Sequence, residues 1–333
     1  SINHFSIAWN DSLFMEGWEV KCVSDTRPPF YEITEVKPLN NATPHALFID
    51  LGASASDVWV VNDGYWGIAV TEGQRYNFQF YLFTEELKNT VVTAALLDRE
   101  EQIVVSKNFQ IERDGSWNHY EGAFTVDTTA NDLRFALLLP HKGKVYIDFV
   151  SMFPENTFCG HKNGLREDVA GMLRDLRPDF VRWPGGCIVE GLTMDNRIKW
   201  KETIGDIVKR PGEYNLWGYR STYGFGYHEF LQFCEDIDAD GLFVCNAGMS
   251  CLFRNGDYWE EENRIDNLIQ DALDAIEYAL GDTTTVYGKR RAENGHAAPF
   301  PLKDVEVGNE NVGLRYVKNY NRFYKAIKEK YPE

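Results

Sequence analysis

The hydrophobic periodicity changes at Pro154, and this change calls for two different architectures in one chain. From about residue 45 to 153 the chain runs in short apolar segments separated by turn formers. Ala46-Leu47-Phe48-Ile49-Asp50-Leu51, Tyr76 to Phe83 and Val91 to Leu97 come first. Ile103-Val104-Val105, Leu133 to Leu139 and Val145 to Val150 follow. Several of these alternate polar and apolar residues, as a strand with one buried face requires. Short strands at this spacing predict a β-sandwich of jelly-roll type, and residues 1–44 are expected to add its first strands.

After Pro154 the period lengthens. Residues 165, 169, 172, 173 and 176 are apolar and fall on one face of a helix over 163–176, which Pro178 ends. Phe180-Val181-Arg182-Trp183 predicts a strand, closed by Pro184-Gly185-Gly186. The same reading predicts a helix from Tyr227 to Ile237, a strand from Gly241 to Asn246 and a long amphipathic helix from Ile265 to Leu280. A polar loop, a strand over 304–308 and a helix from Val312 to Tyr331 complete the series. Alternation of strand and helix predicts a parallel sheet with crossover helices. The fold class is therefore multidomain, β followed by α/β: a β-sandwich over residues 1–154, then a (β/α)-barrel region over 155–333.

The 333 residues suffice for two ordinary domains. A formal net charge of −17 repels phosphate backbones and anionic membranes, so neither nucleic acid nor membrane is an expected partner. A neutral polymer is unaffected. No run of about 18 apolar residues predicts a membrane span. The opening Ser1-Ile2-Asn3-His4 has neither an initiator Met nor a basic and apolar leader, as in a processed or cloned segment. Six cysteines at 22, 159, 187, 234, 245 and 251 match no paired metal or redox spacing, so mostly free thiols are expected. Aromatics make up 14 %, which fits large β-rich cores and equally fits stacking against sugar rings.

Chemistry in barrels sits where strands end and loops begin. Three predicted strand ends carry polar side chains: Arg182, Asn246, and Asn309-Glu310. Glu310 is placed to act as the proton-donating acid of glycoside hydrolysis, which needs a second carboxylate opposite. The alternative is a cap or ion pair on the following helix. Asn309 can bind a sugar hydroxyl beside the bond being cut. Arg182 can keep a carboxylate ionised or bind hydroxyls, or form a structural ion pair, and the same choice applies to Asn246. His228-Glu229 has Gln232 where a zinc motif needs a second His, so His228 is expected to be structural. Trp217, Tyr219 and Tyr223 lie in a Gly-rich loop that either lines a cleft or packs on itself.

Five motifs now stand in order: Asn163-Gly164-Leu165-Arg166, Phe180 to Cys187, Trp217-Gly218-Tyr219-Arg220-Ser221-Thr222, Gly226 to Glu235, and Val305 to Asn311. Together they resemble the α-L-arabinofuranosidases of glycoside hydrolase family 51. The region before them, with Asn62-Asp63-Gly64-Tyr65-Trp66-Gly67-Ile68, resembles the carbohydrate-binding-type jelly roll of many members. The resemblance implies a retaining hydrolase that releases terminal arabinofuranose from arabinan- or arabinoxylan-type plant polymers. It makes Glu310 the general acid/base, Asn309 the ligand of the sugar 2-hydroxyl and Arg182 a support of the site. In some members an asparagine that contacts the sugar follows the Gly-Gly; Cys187 stands there in this chain.

The family nucleophile is a second glutamate on a later strand, past the matched segment. The Phe-Glu motif of the first barrel strand has no counterpart in residues 1–20. The chain is thus expected to hold about three of eight barrel strands, and to be inactive alone unless the rest of the barrel or an oligomeric partner completes it. The partner expected is an arabinose-containing polysaccharide or oligosaccharide, and the expected location is extracellular or periplasmic. Neither a metal nor an organic cofactor is expected, since this chemistry uses none. Two alternatives stand beside this reading: a sugar-binding module with an inactive barrel remnant, and a related barrel glycosidase of different sugar specificity.

Overall fold

The computed structural model describes residues 17–24, 29–54 and 56–332. The chain divides into two compact units, Ser1–Asp168 and Val169–Glu333. The first holds eleven strands among its described residues: β1 (Trp18–Cys22), β2 (Phe30–Thr34), β3 (Ala46–Asp50), β4 (Val58–Asn62), β5 (Ile68–Val70), β6 (Arg75–Glu85), β7 (Val91–Leu97), β8 (Ile103–Gln110), β9 (Trp117–Thr125), β10 (Ala130–Leu139) and β11 (Lys144–Pro154). One antiparallel sheet runs β1-β4-β10-β7-β8, with β5 added against β10; the other runs β2-β3-β11-β6-β9. The expected first strands are present as β1 and β2. The part of that expectation that falls on residues 1–16 lies outside the described residues.

Strand β6 shows why the sandwich forms. Tyr76, Phe78, Phe80 and Leu82 alternate with more exposed residues and are buried in the common core. Phe78 stacks on Phe124 of the adjacent strand β9 at 4.3 Å and meets Phe135 of the opposite sheet across the core at 5.9 Å. Each such side chain stabilises the fold by about 1.5–3 kcal/mol through burial. Strand β4 does not alternate, because it is buried on both faces (Val58 and Val60 on one, Trp59 and Val61 on the other). The last sandwich strand ends at Pro154, where the change of period places the boundary, while residues 155–168 cluster with the sandwich.

The second unit is α/β. Helix α1 (Glu167–Asp175) leads into β12 (Phe180–Trp183), which ends in the short helix α2 (Gly186–Glu190). A long loop with a small pair, β13 (Glu213–Tyr214) and β14 (Arg220–Ser221), leads to α3 (Tyr227–Asp236) and β15 (Asp240–Cys245). Then come α4 (Glu262–Leu280), α5 (Val286–Glu293), β16 (Leu302–Val307) and α6 (Gly313–Lys330). Strands β12, β15 and β16 form one parallel sheet in that order, with Trp183 beside Phe243 and Cys245 beside Val307. The sheet packs on α3 and α4 through Trp183, Tyr227, Phe230, Phe243, Leu268 and Ile276. The Trp183 ring stacks on Phe230 at 5.8 Å and on Phe243 at 6.2 Å. No helix among the described residues is long and apolar enough to cross a membrane.

Two elements differ from expectation. Helix α5 lies in the stretch expected to be a polar loop. Its N-terminus is capped by Thr285, whose hydroxyl accepts from the Gly288 amide, and it is anchored by Arg291, which is fully buried. In α1 the expected helix forms, but its apolar face is not covered: Val169, Met172 and Leu173, with Leu176 just beyond, are exposed.

Candidate active site

The carboxyl ends of the three parallel strands converge on one cluster of polar side chains. Arg182 projects from β12 and takes Glu306 of β16 in a two-pronged ion pair, Nε to Oε2 at 2.7 Å and Nη2 to Oε1 at 2.6 Å. Its Nη2 also donates to Asn309 Oδ1 at 2.9 Å. The hydrogen bond to Glu306 raises the Arg182 pKa further, so the cation is permanent. One guanidinium thus ties the end of β12 to the strand and loop that carry Glu310.

The loop after β16 is held from beneath by Glu190, the last residue of α2. Its Oε1 accepts from the Glu310 backbone amide at 3.1 Å and from Asn311 Nδ2 at 2.8 Å, while Asn309 Nδ2 makes a longer approach of 3.5 Å to Oε2. Glu190 is 0 % exposed, and burial pushes its carboxyl above the usual glutamate range although these hydrogen bonds oppose the shift. Two glycines make the arrangement possible. Gly308 has φ +75°, and a Cβ there would lie 2.5 Å from Asn311 Oδ1. A Cβ on Gly186 would lie 3.0 Å from Asn309 Oδ1. A side chain at Gly308 is strained by the positive φ and clashes with Asn311, and one at Gly186 crowds the Asn309 amide.

Glu310 itself is exposed at the rim. Cys187, in the first turn of α2, directs its thiol to Glu310 Oε2 at 3.6 Å. Burial, and then the neighbouring Cys251 thiol, push Cys187 up to about 12, so it is a neutral S–H donor to the carboxylate. The two sulfurs lie 3.5 Å apart, and all six cysteines are free thiols.

Of the four residues singled out from sequence, Arg182, Asn309 and Glu310 come together. Asn246 does not present its amide to them. It is buried, its Nδ2 donates to the Val189 and Met249 carbonyls, and its Oδ1 accepts from the Gly248 and Met249 amides. It fastens the loop after β15 to α2, which positions Glu190 and Cys187. His228 bonds Tyr278 Oη through Nδ1 at 2.8 Å and packs against Phe300, a structural role. Trp217 and Tyr219 are exposed in their loop, with Arg254 over the Trp217 ring, whereas Tyr223 is buried. Glu190 and Glu306 were not singled out from sequence. The available signal for Glu190 was a lone charge closing the apolar run Cys187-Ile188-Val189.

Comparison with known proteins places this geometry. Residues 172–333 match the family model described as the alpha-L-arabinofuranosidase 1 domain, and residues 51–143 match a carbohydrate binding domain. Alpha-L-arabinofuranosidase 1 of Arabidopsis thaliana is 37 % identical over 285 residues, 85 % of this chain and 41 % of that protein. The extracellular exo-alpha-L-arabinofuranosidase of Streptomyces chartreusis is 36 % identical over 86 % of this chain and 35 % of its own length. Among solved structures, an arabinose-bound family 51 α-L-arabinofuranosidase superposes with a TM-score of 0.85 at 27 % identity, over 95 % of this chain and 51 % of that one. The chain spans about half or less of the length of these relatives. The order of motifs, the sandwich before the α/β sheet and these likenesses agree: the chain is similar to the α-L-arabinofuranosidases of glycoside hydrolase family 51.

Proposed function

We propose that Glu310 is the general acid/base of a retaining hydrolysis that releases terminal α-L-arabinofuranose from arabinan- or arabinoxylan-type polymers outside the cytoplasm. The observation that carries this reading is the contrast between Glu310 and its neighbours. Its carboxylate is exposed at the strand end, while Asn309 and the loop backbone are immobilised by Arg182 and Glu190. In the first step the Glu310 carboxyl gives its proton to the leaving glycosidic oxygen as a second carboxylate attacks the anomeric carbon. In the second step the Glu310 carboxylate takes a proton from water, whose oxygen attacks the anomeric carbon and displaces the second carboxylate. The family resemblance assigns the second carboxylate to a later barrel strand. Glu306 is held in its two-pronged pair with Arg182 and Glu190 is 0 % exposed, so neither is taken as the second carboxylate. Asn309, with its carbonyl oxygen held by Arg182, is oriented for the sugar 2-hydroxyl.

The test is Glu310→Ala in the protein that carries both carboxylates. Turnover of an arabinofuranoside with a poor leaving group should collapse, an activated aryl arabinofuranoside should still be cleaved, and azide should restore its rate with an arabinosyl azide as product. Equal losses on both substrates with no azide product would overturn the assignment.

A second reading concerns the sandwich, and a specific observation favours it. Trp66, on the loop between β4 and β5, is 94 % exposed, with Tyr65 beside it also exposed. An open aromatic face of this kind suits stacking on sugar rings. Affinity electrophoresis in arabinoxylan should show retardation of the chain that Trp66→Ala abolishes; equal mobility of the two would remove the sandwich from substrate capture.

A further inference from the structure

Beside Glu310 lies a second constellation that hydrolysis does not use. Cys187 Sγ, Cys251 Sγ and a Glu190 carboxylate oxygen all lie within 4.8 Å of one another, although 64 residues separate the two cysteines. We propose that these three residues form a binding site for a thiophilic divalent cation of the zinc class, with Glu310 as its fourth ligand.

The donor geometry supports this. Zinc bonds of about 2.3 Å to sulfur and about 2.0 Å to oxygen give tetrahedral S···S and S···O edges of roughly 3.8 and 3.5 Å. The two sulfurs stand 3.5 Å apart, and Cys187 Sγ stands 3.6 Å from Glu310 Oε2. These two edges are thus within a few tenths of an ångström of the tetrahedral values, and the three clustered donors lie close enough to close on one ion. Glu190 has an oxygen to offer. Oε1 is committed to the Glu310 amide and Asn311, whereas Oε2 has only the long Asn309 approach, and the carboxyl also receives the Cys251 thiol. Cys251 and Glu190 are buried and Cys187 is half-buried, so the ion would sit with its sulfur and Glu190 donors beneath the rim and Glu310 as the exposed side of its shell. The ligand set, two sulfurs and carboxylate oxygens, favours zinc, cadmium and cobalt(II) over magnesium or calcium, which prefer oxygen alone.

Binding would consume the lone pair with which Glu310 takes up a proton, so an occupied site holds the acid/base out of action. This consequence rests on the reading of Glu310 above; the binding does not. The experiment separates the two. Cobalt(II) is titrated into the metal-free chain under a non-thiol reductant. One equivalent should produce a near-ultraviolet thiolate-to-metal band with tetrahedral visible bands, and zinc should bleach them. The Cys187→Ser and Cys251→Ser variants should each weaken the thiolate band, and the double variant Cys187→Ser/Cys251→Ser should lose it. Since a buried Cys251→Ser chain can misfold, the wild-type chain supplies a second readout. Zinc should slow alkylation of Cys187 and Cys251, mapped by peptide mass spectrometry, and leave the exposed Cys159 reactive. No cobalt band in the wild-type chain, a band that survives in the double variant, or alkylation indifferent to zinc would overturn the site. In the protein that carries both carboxylates, a cobalt band that does not respond to Glu310→Gln would remove Glu310 from the ligand set, whereas zinc binding through Glu310 without inhibition of arabinofuranoside turnover would contradict its role as acid/base.

Discussion

Arg182 and Glu190 illustrate what a sequence can and cannot reveal about single residues. Arg182, Asn309 and Glu310 were legible because each lies at or just past the carboxyl end of a strand, where a barrel presents its chemistry. Glu190 was not, because its partners are Asn309, Glu310 and Asn311, about 120 residues away, and no local period announces them. Asn246 was legible as a strand-end amide, but its four backbone bonds show only in three dimensions. The Arg182 fork leads to a sharp expectation. Lysine keeps the charge but not the fork, so Arg182→Lys should free Asn309. The pair with Glu306 is one-third exposed on each side, so it contributes no more than about 1 kcal/mol to stability. The melting temperature should therefore barely move, while kcat/KM on an aryl arabinofuranoside, in the protein carrying both carboxylates, falls about 10²-fold through misorientation. A large melting shift with unchanged kcat/KM would show that the pair serves the fold instead.

At the level of elements, most of the strands singled out from sequence and the long helices followed their periods to within a few residues, since burial on one face is what writes the period, whereas β4, buried on both faces, carries no such period. Helix α5 escaped because its single deep anchor is an arginine. The stretch Val286–Glu293 carries Lys289, Arg290 and Arg291, which read as solvent-facing. In the fold Arg291 is 0 % exposed and donates to the carbonyls of Tyr278, Ala279, Gly281, His296 and Ala297. Three of these cluster at the carboxyl end of α4, whose dipole favours a cation there. Arg291→Met fills similar space but leaves those carbonyls unpaired, at about 1–3 kcal/mol for each one that water cannot reach. Hydrogen exchange should quicken in peptides covering the end of α4, α5 and the start of β16, with sandwich peptides unchanged. Unaltered protection at the end of α4 would mean that the guanidinium is not what fastens these elements together.

The whole molecule carries apolar surface where a parallel α/β sheet would ordinarily continue. The two edge strands of the three-stranded sheet are β12 and β16, and beside them in sequence α1 and α6 leave apolar residues in solvent. Met172 is 71 % exposed, Leu176 74 % and Leu314 89 %, with Val317 and Tyr324 more than half exposed. Such residues at helical spacing are what a βα unit buries against its neighbours in a closed barrel. Helix faces with this many exposed apolar side chains invite association, and unpaired edge strands invite pairing with other chains. The 333-residue polypeptide on its own should therefore bind an apolar fluorescent dye and grow in mass with concentration in light scattering. Met172→Glu, Leu176→Lys and Leu314→Gln together should lower both signals. None of the three is buried, so the melting temperature should hold within the small changes typical of surface substitutions. A polypeptide that is monomeric and dye-silent before the substitutions would show that these faces are already covered. The likeness to the family's barrel would then need a different account at its edges.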